Sequence, residues 1–128
     1  MPNELKLGGT YCHYKTKGLY QALAVVQNRP LRPGEQVVEV ATVKDTSDGR
    51  NDKLMKLCHS FTTGHLFVLN TGDSPTTHDG SLNDLMALYY SFSANNLFVR
   101  VLTEFVGEVA VDGMTNPRFA PRFELLSR

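Results

Sequence analysis

The chain has 128 residues, 41% of them hydrophobic and 20% charged, which fits one domain with its own core and argues against disorder throughout. Thirteen basic and thirteen acidic residues cancel, so there is no global cationic field to gather nucleic acid or an anionic membrane. No stretch approaches the roughly 20 apolar residues that cross a bilayer, and the opening Met1-Pro2-Asn3-Glu4-Leu5-Lys6 has no export run. A cytoplasmic protein outside the membrane is expected, with Cys12 and Cys58 as reduced thiols.

The opening Tyr11-Cys12-His13-Tyr14-Lys15 reads as a strand in which alternation sets Tyr11 and His13 on one face and Cys12 and Tyr14 on the other. A His beside a Tyr can hold a ligand or move a proton, and Lys15 adds a cation at the same mouth. The plainer reading is a half-buried histidine satisfied by the backbone. Strand signals follow in Leu19–Val26 and Gln36–Val43, both rich in β-branched residues. Turn chemistry separates them at Asn28-Arg29-Pro30 and Arg32-Pro33-Gly34, and further turns are expected at Asp45–Gly49, Thr71–Pro75, Asp79-Gly80 and Asp112-Gly113. So many breakers in one domain suit a β meander or a small barrel. The acidic Asp45, Asp48 and Asp52 lack the glycine and terminal glutamate of a calcium loop and read as a solvated turn.

The middle of the chain carries a repeat. Leu54-Met55-Lys56-Leu57-Cys58-His59-Ser60-Phe61 returns 31 positions later as Leu85-Met86-Ala87-Leu88-Tyr89-Tyr90-Ser91-Phe92, and Leu66-Phe67-Val68 returns as Leu97-Phe98-Val99. Eight of fifteen positions are identical, too many for chance, and each copy reads as two strands joined by a polar turn, Thr62–His65 or Ser93–Asn96. Gly64 or an Asn can take positive φ in those turns. A rival reading makes Leu82, Leu85, Met86 and Tyr89 one face of a short helix near 82–90. The adjacent pairs Cys12-His13 and Cys58-His59 do not make a metal site, because neighbouring strand residues point to opposite faces and no Cys-x-x-Cys spacing is present. No nucleophile motif and no phosphate-cradling glycine loop occurs either.

The β signal runs densely from Leu97 to Val111. Within it Arg100 shares a face with Phe98 and Leu102, so a partly buried guanidinium needs an anion: Glu104 or Asp112 of the chain itself, or a carboxylate or phosphate on a ligand. The tail Pro117-Arg118-Phe119-Ala120-Pro121-Arg122-Phe123 is extended by its prolines and places Arg118 and Arg122 on one side. They could flank an anion, or remain solvated while Phe119 and Phe123 close the barrel.

Two separated blocks resemble the bacterial domain of unknown function 1653 family. The first is Gly9-Thr10-Tyr11-Cys12-His13-Tyr14-Lys15 with Gly18-Leu19-Tyr20 and Leu23-Ala24-Val25; the second runs from Leu97-Phe98-Val99-Arg100 through Glu104-Phe105 and Val111-Asp112-Gly113 to Pro117-Arg118-Phe119. Phe98 stands where that family usually has Trp, Val101 where it has Pro and Cys12 where it usually has Arg, and the middle is far longer than the family's short connection. The resemblance implies a small barrel of SH3-like size and says nothing about activity.

These readings converge on one all-β domain over residues 1–128: a small SH3-like barrel or meander with family-like blocks at 8–26 and 84–119 and an inserted, duplicated hairpin region at 27–83. The expected function is non-catalytic binding of a small anionic ligand, such as a nucleotide derivative or nucleotide signal, by Arg100, Tyr11, His13, Lys15, Arg118, Arg122 and Phe98. No cofactor and no metal are expected, and a homodimer or higher homo-oligomer is the expected assembly. The alternatives are an interaction or self-assembly module that uses edge strands and the Leu66-Phe67-Val68 stripe, and a small enzyme of unknown reaction.

Overall fold

The computed structural model describes residues 5–48, 51–70 and 84–121. Its elements in chain order are β1 (Thr10–His13), β2 (Leu19–Arg29), β3 (Val37–Asp45), β4 (Lys53–Ser60), β5 (Leu66–Leu69), β6 (Asp84–Ser91), β7 (Asn96–Val101), α1 (Leu102–Phe105), β8 (Glu108–Val111), β9 (Met114–Pro117) and β10 (Phe119–Pro121). Six of the strands close into a barrel in the order β2-β5-β4-β3-β7-β6, with β6 returning to pair with β2. β1 lies outside the ring along the N-terminal part of β2, and β10 lies along β1. The chain is thus a small all-β barrel with added strands. Among the described residues no helix is long and apolar enough to cross a membrane.

Closure follows from alternation. Val26, Val43, Met55, Leu57, Val68, Met86, Leu88, Val99 and Val101 turn inward and form one buried cluster that fills the ring. Parallel pairings seal it at two places: β5 runs alongside Gln27–Arg29 of β2, and β7 runs alongside Lys44 and Asp45 of β3.

The two hairpins that carry the sequence repeat, β4–β5 and β6–β7, take corresponding positions. Met55 faces Val43 and Met86 faces Val26. The register slips at Val40 where β3 meets β4, and at Leu23 where β2 meets β6. The Phe61 N–H donates to the Gln36 carbonyl and the Phe92 N–H to the Leu19 carbonyl. The connecting turns match as well, with positive φ at Gly64 (80°) and Asn95 (53°). The barrel therefore has an approximate two-fold axis that relates β3-β4-β5 to β2-β6-β7.

The two halves are covered differently on the outside. Over β6 and β7 a second buried cluster forms from Tyr11, Ala22, Ala87, Tyr89, Phe105 and Phe119, under the roof of β1, β10 and α1. On the other half Phe67 is capped by the Arg29 guanidinium, 3.9 Å from its ring centre, and Arg29 in turn makes two hydrogen bonds to the Glu35 carboxylate, at 2.9 and 2.5 Å. Those bonds hold the Glu35 carboxyl at about 2, well below its ordinary 4.5.

The rival helix falls, and one expectation needs correction. The short helix near 82–90 does not form over its described part: Asp84–Ser91 is a strand paired on both edges, with β2 and with β7. Met86, Ala87, Leu88 and Tyr89 are all buried, because this strand has the barrel core on one face and the aromatic cluster on the other. A strand apolar on both faces imitates helical spacing. The continuous strand signal from Leu97 to Val111 is also broken. After Val101 one helical turn, α1, carries Phe105 under the aromatic cluster, and the Val106 N–H closes it onto the Leu102 carbonyl. Gly107 allows the exit, since a Cβ there would meet the Thr103 carbonyl oxygen at 2.6 Å. β8 and β9 then form a separate hairpin about Asp112-Gly113, both at positive φ (51° and 79°), as a two-residue primed turn requires.

Candidate functional site

The roof of the aromatic cluster is also where the polar side chains meet. β7 delivers Arg100 to the outer wall because Val99 and Val101, its neighbours on either side, are taken into the barrel core. Arg100 is buried and held by the chain itself. Its Nε–H donates to Thr46 Oγ1 at 3.3 Å and an Nη1–H donates to Glu104 Oε1 at 3.3 Å, with the Asp48 carboxylate 3.7 Å away. The internal partner that nearness in sequence suggested, Glu104, is present one helical turn on; Asp48 and Thr46 follow the end of β3, more than fifty residues away in sequence, and no local signal pointed to them. Thr46 Oγ1 also lies 2.5 Å from the Tyr89 hydroxyl and donates to the Val99 carbonyl at 3.2 Å. This short network anchors Tyr89, whose hydroxyl burial pushes to a higher pKa.

Arg118 reaches the same acidic side chain, with Nη2 3.2 Å from Asp48 Oδ2. Its Nε is buried and has no hydrogen-bond partner among the described residues. Its carbonyl accepts from the Tyr14 N–H, which locks the tail to the opening loop. Arg122 lies outside the described residues.

His13 sits between these cations. Its ring packs 5.0 Å from Phe119 and 4.9 Å from Tyr14, and its Nδ1 accepts from the N–H groups of Lys15 (3.2 Å) and Thr16 (3.3 Å). That arrangement leaves the ring proton on Nε2, a donor. Burial first, then the positive charges of Arg100, Arg118 and Lys15, holds His13 down from 6.5 to about 4. The proton and ligand roles that the sequence allowed therefore divide. A neutral imidazole with a fixed donor suits binding at pH 7 and is a poor general acid there.

An NMR titration is expected to show the His13 ring changing near pH 4, and Arg118→Gln to raise that midpoint without restoring 6.5, since burial is the larger cause. Because the folded value is depressed, the unfolded chain binds the proton more readily between the two values. His13's contribution to stability is thus complete above about 6.5 and is lost as the pH falls towards 4. A midpoint at 6 or above would contradict this geometry.

The remaining expected residues separate. Tyr11 belongs to the core: it is buried, its ring meets the edge of Phe105 at 5.3 Å, and its hydroxyl accepts from the Lys6 N–H. Phe98 packs against Tyr89 and Tyr20 as a wall of the same cluster. Lys15 is exposed beside His13. Lys17, which sequence reading passed over, is brought in by the β1–β2 turn, where it adopts a positive φ of 62°. It lines an open cleft of about 350 Å³ with Cys12, His13, Tyr14, Asn116 and Ala120. Cys12 and Cys58 are both free thiols, and they stand on different strands, β1 and β4.

A larger cleft of about 610 Å³ lies on the other half of the barrel, lined by Val25, Arg29, Arg32, His59, His65 and Leu85 among others. Its buried cation, Arg29, is already committed to Glu35 through both terminal guanidinium nitrogens, so the cleft offers less to an anion than its size implies. Comparisons with protein-family models, curated proteins and solved structures find no match to this chain.

Proposed function

We propose that the chain is a non-catalytic binding domain for a small anionic molecule of the nucleotide class, taken up in the cleft between the β1–β2 turn and the β9–β10 segment. The observation that carries this reading is the charge arrangement around His13. A neutral imidazole with its Nε2–H available lies within the field of Arg100 and Arg118 and beside exposed Lys15 and Lys17, against the two carboxylates of Asp48 and Glu104. A phosphate would find Lys17 and His13 in the cleft wall, with the Arg118 charge behind His13, while the half-buried Tyr14 ring offers a surface for a base. The cleft is within the size range of small-molecule sites, roughly 300–1,000 Å³. Arg100 acts from behind as a positioning charge, since its own hydrogen bonds are made inside the chain. The duplicated origin of the two hairpins, the likeness to the domain of unknown function 1653 family and a cytoplasmic setting belong to this same proposal.

Native mass spectrometry of the protein as purified from cells tests it, together with thermal-shift titrations using inorganic phosphate, nucleoside phosphates and cyclic dinucleotides. A mass excess of a few hundred daltons that denaturation removes, or a melting shift that Lys17→Glu abolishes, is the expected result. No excess and no shift with any of these probes would overturn the reading.

A further inference from the structure

The approximate two-fold axis exposes an asymmetry. On β2 the edge facing away from β6 is occupied in its N-terminal part by β1, which pairs antiparallel over Leu19–Gln21. The corresponding stretch of β3 is Gln36–Val38, and among the described residues no strand pairs with the outer edge of β3 before Lys44. The direction of its main-chain groups is fixed by the other edge. The Gln36 carbonyl accepts from the Phe61 N–H of the β4 side, so Val37 and Glu39 turn their N–H and C=O groups outward. Their counterparts on β2 do the same towards β1, where the Ala22 N–H bonds the Gly9 carbonyl and its own carbonyl accepts from the Gly8 N–H.

We propose that this edge pairs antiparallel with the same edge of a second copy of the chain, about a two-fold axis through Val38. In that register Val37 of each copy faces Glu39 of the other, so both outward-turned residues form hydrogen-bonded pairs and the two Val38 side chains meet across a non-hydrogen-bonded pair. The Glu39 carboxylates face valines rather than each other, and each stays near Lys56 of its own chain, 3.5 Å away. The surface is apolar where such a pairing needs it: Val38 is 44% exposed, Val40 55% and Phe61 66%. Val37–Val43 also lacks the proline, lysine or inward charge that usually guards a free edge. The slip at Val40 limits the pairing to a few residues, as the slip at Leu23 does where β1 covers β2. The inference is independent of the ligand cleft, which lies on the other half of the barrel.

Sedimentation velocity and native mass spectrometry test it on the full chain across a concentration series. A dimer is expected, with Val38→Lys returning the monomer mass at concentrations where the parent is dimeric. In a Cys12→Ser background, Val38→Cys is expected to give a disulfide-linked dimer on mild oxidation, because such a cross-strand pair brings its Cα atoms to about 4.5 Å, within disulfide reach. Thr42→Cys is expected to give none. This cross-linking pair decides the matter even where Val38→Lys does not fold. A monomer at every concentration overturns the proposal, and so does a dimer that survives Val38→Lys without a Val38→Cys cross-link.

Discussion

Phe119→Ala is expected to lower the stability of the folded chain by about 3–5 kcal/mol, the range for removing a large aromatic from a packed site. Phe119 is almost fully buried and stacks on Phe105 with ring centres 4.2 Å apart and planes 11° from parallel. Its remaining surface meets the rings of Tyr20 and Tyr89, each at 5.5 Å, and of His13 at 5.0 Å. Every element of the roof converges on this one side chain. Phe105 comes from α1, His13 from β1, and Phe119 itself from β10, whose pairing with β1 runs through it. Neighbours fixed by a closed barrel wall on one side cannot collapse into the space left, so the cavity cost adds to the lost transfer free energy. Urea denaturation measures the change, and Phe119→Leu should recover part of it. The same variant should raise the His13 midpoint from about 4, because burial is the first cause of that depression. A stability loss below about 1 kcal/mol, or an unmoved His13, would mean that the roof is not the packed unit the contacts describe.

The strands of the barrel were legible because their information is local. The β-branched runs of β2 and β3 and the repeated Leu-Met-x-Leu and Leu-Phe-Val segments state an alternation that needs no partner to be read. One feature escaped, and another left two readings open. α1 is a single turn with no cap and no amphipathic run of its own; it exists because Phe105 is drawn under the aromatic cluster, and tertiary packing decides that. The run Asp84–Ser91 supports both spacings because it is buried on two faces, and only its pairing with β2 and β7 decides between them. The site divides in the same way. Arg100 and its partner Glu104 are near in sequence, so the pair could be named, although it is the turn of α1 and not strand geometry that joins them. Asp48 and Thr46 reach Arg100 only because β3 and β7 run parallel at the seal of the barrel, a long-range pairing with no sequence motif. Tyr11 was misplaced by its company: lying next to a polar, aromatic stretch it read as part of a mouth, whereas its ring is a core residue with one satisfied hydroxyl.

Asn28→Leu is expected to stabilise the chain by about 1–3 kcal/mol, the cost of a buried polar group left without its hydrogen bonds. Asn28 is fully buried, and neither its amide nitrogen nor its amide oxygen has a partner among the described residues. It follows Val26 on the inward face of β2, beside Val68 of β5, so a leucine, branched at Cγ like asparagine though larger, would extend the barrel core in place of unpaired polar atoms. The approximate two-fold axis supplies the control. The corresponding position on β3 is Asp45, equally buried, whose Oδ1 accepts from the Ser47 N–H at 3.0 Å while Ser47 Oγ accepts from the Val101 N–H at 2.8 Å. Asp45→Leu should therefore destabilise, because it removes an acceptor that the end of β3 depends on and leaves a buried donor unpaired. Opposite signs at two symmetry-related, equally buried positions follow from the difference in their hydrogen bonds. Chemical denaturation of both variants measures the difference; a loss of stability in Asn28→Leu comparable to that in Asp45→Leu would show that the Asn28 amide holds a partner and that the two halves of the barrel end are alike.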